Sequence, residues 1–386
     1  MTGPRRTWPD DRADPTGAVE AVPGGPSCHV DGFVPSGGDT CAVVGEVAVG
    51  LDPEGVAIDA RTDRAYVACS RSDAVTVVDL RTMAVLGAIP VGREPIDIVI
   101  DPRSDRLFTA DARSDQVSVI DIATEQVVAS IPVGSYPAGL ALDEEGRRLL
   151  CGDTMGCTVT VVDVDDLQVV GVVAAELGAG AVAVDPRRRL GYCANFMGSS
   201  VTVFELDGLA VVDRLQVGEA PCAVAVNPVL DDVYVVNSLA STVACFDGAT
   251  RHHRRDLPVA NAPVGIAAAP SGDRVYVGNR GDGSVSVLGI DGLEWARIPV
   301  GAAPGGVTVH PGDPTRLVVA NAGSGSISVV QDQLAGPPSV PLAATTHPLV
   351  GQHMPAFSLP DVRTGEVRHS IEWAEKKYIV NFFASW

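Results

Sequence analysis

Basic residues are scarce in this chain: 28 Lys and Arg stand against 48 Asp and Glu, for a formal net charge of −20. A phosphate backbone calls for a basic footprint, so direct nucleic-acid binding is not expected. The acidity fits a soluble surface. Long apolar runs are missing too. The most apolar stretch, VVGVVAAELGAGAVAV at 169–184, is broken by Glu176 and three glycines, and no membrane span is expected. No signal peptide is visible, since Arg5–Arg6 is followed by acids and prolines where an apolar segment would be required. The eight cysteines (28, 41, 69, 151, 157, 193, 222, 245) form no CxxC and no CxxCH. Their density is far below that of a disulfide scaffold, so most read as buried thiols standing in for Val or Ala.

Aromatic residues make up only 5% of the chain, against 46% hydrophobic residues, 41 glycines and 28 prolines. That balance of small apolar residues and turn formers suits many short strands. Residues 1–39, rich in Pro, Gly and Asp, read as a disordered tail.

A repeat organises the rest. Pro53, Pro95, Pro137, Ala179, Pro221, Pro263 and Pro304 follow one another at 42, 42, 42, 42, 42 and 41 residues. Asp111, Asp153, Asn195, Asn237, Asn279 and Asn321 form a second column spaced by 42, each ending a strand such as YVVN or YVGN. A third column runs through VTVVD, VSVID, VTVVD, VTVFE, VACFD, VSVLG and ISVVQ. Each copy holds four strand signals; in the second they are DIVID, RLFTA, QVSVID and QVVASIPV. A four-stranded unit cannot bury both faces alone, whereas seven arranged radially can. The seventh copy supplies three strands. The missing fourth is TCAVVGEVAVG at 40–50, which matches TMAVLGAIPVG at 82–92. The fold class is therefore all-β, a seven-bladed β-propeller over 40–334 whose N-terminal strand closes the last blade.

These strands, with VG..P before them, resemble the YVTN/YncE family of seven-bladed propellers over nearly the whole repeat region. The resemblance implies an extracytoplasmic or surface location and is specific to architecture, not chemistry. No cofactor is expected, and a monomeric propeller is.

Inner strands line a propeller's axis, so a catalytic group would be sought there. The readable columns are Gly55, Asp97, Gly139, Ala181, Ala223, Gly265, Gly306 and Ala57, Val99, Ala141, Ala183, Ala225, Ala267, Thr308. Both are small, and only Asp97 could titrate. A metal-assisted lyase, like propellers resembling streptogramin lyase, would need His and Glu on this face. Asp59, Asp101, Asp143 and Asp185 recur as a ring, with Asn227, Ala269 and His310 in the same column; turn chemistry explains them better than a cation site. His252 and His253 fall in the outer hairpin of blade five, where adjacent side chains diverge. No metal site is expected.

Loops joining second to third strands share one face with the loops between blades. There, blades two to four place Arg93, Glu94, Tyr136, Met155, Cys157, Phe196 and Met197, a group with soft, apolar and aromatic character. They are the candidate partner face, set against a role in loop packing alone. Cys151 and Cys193 occupy equivalent positions in neighbouring blades, too far apart for a bridge, and are expected to be reduced. Cys28 and Cys41 could bridge only in an oxidising compartment.

Residues 335–349 read as a Pro/Ala-rich linker. In 350–386, the pieces MPAFSLPD, TGEV, a Lys–Lys pair and IVNFFASW resemble the opening of a thioredoxin-like redoxin of the TlpA/ResA type. In that family the motif runs directly into a Cys-x-x-Cys at a helix N-terminus, which the dipole activates for thiol–disulfide exchange. The chain stops at Trp386, before those cysteines. The expectation is a non-catalytic propeller scaffold which, in an intact protein, accompanies a thiol–disulfide oxidoreductase and its substrate proteins, these 386 residues being redox-inactive. The alternatives are an interaction propeller without a redox role and a lyase-like propeller enzyme.

Overall fold

The computed structural model describes residues 41–227 and 229–334, with the backbone of two short strands at Ser358–Pro360 and Val367–His369. Within 41–334 the chain forms seven four-stranded antiparallel sheets and no α-helix. Blade two is typical: Pro95–Asp101, Arg106–Asp111, Gln116–Asp121 and Gln126–Pro132 pair in sequence order from the axis outward.

Burial follows from that stacking. The middle strands of each blade are covered on both faces and read as continuous apolar runs, RAYVAC and AVTVVD in blade one. Apolar side chains fall into seven clusters, each built from two adjacent blades. One of them joins Val56, Ile58 and Val67 of blade one to Val318, Ile327 and Val329 of blade seven. The ring is thus closed by the same packing that joins every other pair of blades. Cys151 lies between blades two and three and Cys193 between blades three and four. Their different layers explain why both are free thiols.

Closure is also made by pairing. Cys41–Ala48 lies antiparallel on Ser326–Asp332, from Cys41 opposite Asp332 to Ala48 opposite Ser326. Val49 N–H continues the contact to Gly325 O at 2.8 Å.

The polar columns are buried and each has a task. Asp111, Asp153, Asn195, Asn237, Asn279 and Asn321 have no exposed surface. Asn195 Nδ2 donates to Ser200 and Thr202 at 2.9 and 3.0 Å, while its Oδ1 accepts Glu176 N–H at 3.2 Å. Asn279 and Asn321 tie the second strand to the third in the same way, through Ser284 and Ser286 and through Ser326 and Ser328. Asp111, like Asn195, also holds the incoming loop, accepting Gly92 N–H at 3.1 Å.

The Asp column does form turns: Asp101 Oδ1 accepts the Arg103 N–H at 3.1 Å and Oδ2 the Ser104 hydroxyl at 2.6 Å. It also does something the repeat did not announce. Arg147 of blade three reaches back with its two terminal guanidinium nitrogens to Asp101, at 3.1 and 2.7 Å, and Arg189 of blade four does the same to Asp143, at 2.6 and 2.7 Å. Between blades four and five the partners are rearranged, and Arg188 bridges Asp185 and Asp231, each at 3.0 Å. At the closing seam His310, 4% exposed, holds Asp63 of blade one through Nε2 at 3.0 Å, while its Nδ1 accepts Gly312 N–H. His310 is therefore a seam residue and not merely a turn residue.

Ser358–Pro360 and Val367–His369 pair antiparallel. Residues 1–40 with Cys28, the 335–349 linker and the rest of 350–386, including the redoxin-like IVNFFASW, lie outside the described residues.

Candidate functional site

The two loop sets expected to share a face are joined by backbone hydrogen bonds in all seven blades. Among them, Ala112 N–H donates to Glu94 O, Thr154 to Tyr136 O and Phe196 to Gly178 O, each at 2.9 Å. On this face the seven candidate residues divide into two groups. Arg93, Glu94, Tyr136 and Cys157 hold the loops together. Arg93 donates to Arg113 O at 3.0 Å, and the Tyr136 hydroxyl donates to Glu94 Oε1 at 2.5 Å, with Arg113 also on Glu94. Burial first and the Glu94 carboxylate second push the Tyr136 hydroxyl up to about 12. Cys157 is half-buried in a left-handed turn, φ 55°.

Arg93 is exposed as well, and Met155, Phe196 and Met197 are the exposed apolar ones, at 65%, 45% and 58%. Gly178 brings the Phe196–Met197 loop close: its φ is +80°, and a Cβ there would stand 2.8 Å from the Met197 nitrogen. The apolar group is also larger than the sequence reading allowed. Leu177, beside Gly178, is 61% exposed, and Leu239, in the loop of blade five equivalent to that of Met197, is 74% exposed. Both loops were readable from the repeat. Their lone leucines carried no signal until exposure marked them.

The same face opens into the axial funnel, a cavity of about 490 Å³ with Tyr136, Thr154 and Phe196 among its walls. Here the two-column reading of the inner strands is corrected. A register shift near the start of the inner strand, between Pro95 and Asp97 in blade two and Pro53 and Val56 in blade one, breaks the alternation. The residue after each proline, or after Ala179 in blade four, thereby joins the wall, adding Glu54, Ile96, Ala138, Gly180, Cys222 and Val264. Asp97 is thus not the sole titratable group.

Glu54 pairs with Arg280 of blade six, at 3.1 and 3.0 Å. Burial nonetheless outweighs the guanidinium and raises the Glu54 carboxyl above the usual range. Cys222 donates to Pro263 O at 3.3 Å, and burial pushes its thiol up to about 12, so it is no ready nucleophile. Asp97 accepts Ile98 N–H on Oδ1 and Leu140 N–H on Oδ2, both at 2.8 Å. Desolvation dominates over these bonds and holds it at about 6.

This shift sets a pH dependence. A carboxyl whose folded pKa is raised binds its proton more tightly in the native state. Its contribution to stability therefore falls as pH rises from about 4 to about 6 and is flat above. Glu54 and Arg280, the charged pair at the same funnel, answer each other. Urea midpoints across this range should show Asp97→Asn gaining on the parent chain with rising pH; a gap independent of pH would contradict the assignment.

His252 and His253 stay in the outer hairpin, where His253 Nε2 meets Asp256 at 2.9 Å and its ring stands edge-on to Phe246. Among the described residues no three His, Cys, Asp or Glu side chains gather as metal ligands.

Residues 84–274, from the outer strand of blade one into blade six, match the family model described as a YNCE-like beta-propeller. Among solved structures, a chain titled Kuenenia stuttgartiensis Hydrazine Synthase superposes with a TM-score of 0.68 at 20% identity, covering 79% of this chain and 99% of that one. No curated protein matches the chain. The matches to solved structures number 1626 chains, and a shape so widely shared selects no chemistry by itself. The chain thus carries a seven-bladed propeller scaffold, of which residues 84–274 are similar to the YNCE-like propellers.

Proposed function

We infer that this propeller is a non-catalytic binding module that captures a protein partner on the loop face of blades three to five. The observation that carries this reading is the run of Met155, Leu177, Phe196, Met197 and Leu239, large apolar side chains 45–74% exposed on consecutive blades of a surface otherwise rich in acids. Methionine and leucine on a rigid frame suit a partner that presents apolar side chains. The funnel walls argue in the same direction. Cys222 is protonated, Glu54 is bound to Arg280 and Asp97 is held by backbone N–H groups, so no nucleophile–base pair is assembled.

The redoxin-like likeness of 350–386 supports a further element. In an intact protein the propeller would present substrate proteins to a thiol–disulfide oxidoreductase joined through the 335–349 linker, outside the cytoplasm. A Cys-x-x-Cys encoded directly after Trp386 is the observation that would bear on this.

The docking reading is tested by Phe196→Ser with Met197→Ser, compared with Val128→Ser on an outer strand, 55% exposed. A partner captured by the parent chain and identified by mass spectrometry should lose roughly tenfold or more in affinity to the loop-face variant, and nothing to the outer-strand variant. Equal retention by both variants would remove the face from consideration.

A further inference from the structure

The funnel holds a carboxylate that no other blade repeats at this position. Where blade two has Asp97, the other inner strands carry Gly55, Gly139, Ala181, Ala223, Gly265 and Gly306, and the ring closes there with glycine and alanine alone. Keeping a carboxylate at such a site opposes the cost of removing it from bulk water. The neighbouring blade makes room for it. A Cβ on Gly55 would stand 2.9 Å from Asp97 Cα and 3.0 Å from its Oδ1, so Asp97 fits because residue 55 has no side chain. Gly305 serves Glu54 in the same way, a Cβ there lying 2.8 Å from Oε2.

The two carboxylates differ in what answers them. Glu54 receives both arms of Arg280. Asp97 meets two backbone N–H groups, one on each oxygen, and no cationic side chain. Each Asp97 oxygen keeps acceptor capacity. Around it, apart from Glu54, Thr154 and Thr308, the funnel wall is apolar or small, with Ile96, Ala138, Cys222, Val264 and Ile266 among it and Tyr136 and Phe196 also lining the cavity. A volume of about 490 Å³ suits a small organic molecule better than a bare ion. An anion would meet two carboxylates and an arginine already engaged.

We propose that the axial funnel binds a small organic ammonium ion, its charged head on Asp97 and its apolar body against Phe196, Tyr136 and Val264. An ammonium donates to the unused Asp97 lone pairs and supplies the missing countercharge. The aromatic rings favour the cation and cover the apolar part. The assignment shares Phe196 with the loop face but rests on Asp97 and the funnel, so loss of the ammonium preference in Asp97→Asn is distinguishable from loss of partner capture.

The probes are phenethylammonium, the neutral 2-phenylethanol and the anionic phenylacetate, titrated against the full chain at pH 8 by saturation-transfer NMR. The parent chain should bind the ammonium roughly tenfold or more tightly than the alcohol, with the carboxylate weakest. Asp97→Asn should abolish that preference, while Val172→Ser on an outer strand, 56% exposed, should keep it. The ranking of probes on the parent chain stands even if the Asn variant fails to fold. Equal binding of ammonium and alcohol, an undiminished preference in Asp97→Asn, or no binding of the ammonium at millimolar concentration would overturn the proposal.

Discussion

Removing the closing strand, residues 41–48, should lower the melting temperature by roughly 10 °C or more. The strand pairs along its length with Ser326–Asp332 and places Val47 in the cluster between blades one and seven. Ladder bonds at about 1 kcal/mol each, with the burial of Val47, sum to about 5 kcal/mol or more. The deletion also exposes the long apolar edge SISVVQD, a template for pairing with other chains. Calorimetry of the truncated protein should show the lower transition with concentration-dependent aggregation, and a synthetic peptide spanning 41–49 should restore part of the loss. A truncated protein melting within about 2 °C of the parent would show that closure rests on blade packing alone.

Arg147→Met comes second, with an expected cost of about 3–5 kcal/mol near neutral pH. Asp101 has no exposed surface, and its partner Arg147 is 20% exposed. Desolvation pushes the Asp101 carboxyl up, but Arg147, Ser104 and the Arg103 N–H together outweigh it and hold the pKa below the usual value. A depressed folded pKa gives stability that is present above the unfolded pKa, near 3.8, and is lost as pH falls through the folded one. Without the guanidinium that stabilisation disappears and a charge stays buried between blades two and three. The double variant Asp101→Asn with Arg147→Met should recover most of the loss, because no lone charge remains. Urea denaturation of the three variants at pH 7 checks this. If the single and double variants are equally unstable, the seam acts through packing, not charge.

How far the sequence could be read differs between fold and site, and particular residues show why. The proline and asparagine columns are one-per-blade features. A spacing of 42 therefore gave blade number, strand order and the borrowed fourth strand at 40–50, which the Cys41–Asp332 register bears out. The candidate loops were legible because they fall between those columns. Their division into structural residues (Arg93, Glu94, Tyr136, Cys157) and exposed apolar ones (Met155, Phe196, Met197) was not, for it depends on contacts such as the Tyr136–Glu94 hydrogen bond across two blades. Glu54 was missed because alternation is a reliable guide only in a regular strand, and the bulge near Pro53 rotates it into the funnel.

By itself the sequence determined everything that repeats: sheet number, closure, the turns at the Asp column and the face on which the loops lie. Local hydrogen bonding and apolar periodicity act within one blade and are copied seven times. Tertiary structure decided what breaks the repeat. Arg147 meets Asp101, His310 meets Asp63, Arg280 crosses to Glu54, and Asp97 finds room beside Gly55. Those pairs join blades whose residues lie 42 to 247 apart in the chain. Side-chain charge and volume select such partners only once the ring has brought them within bonding distance.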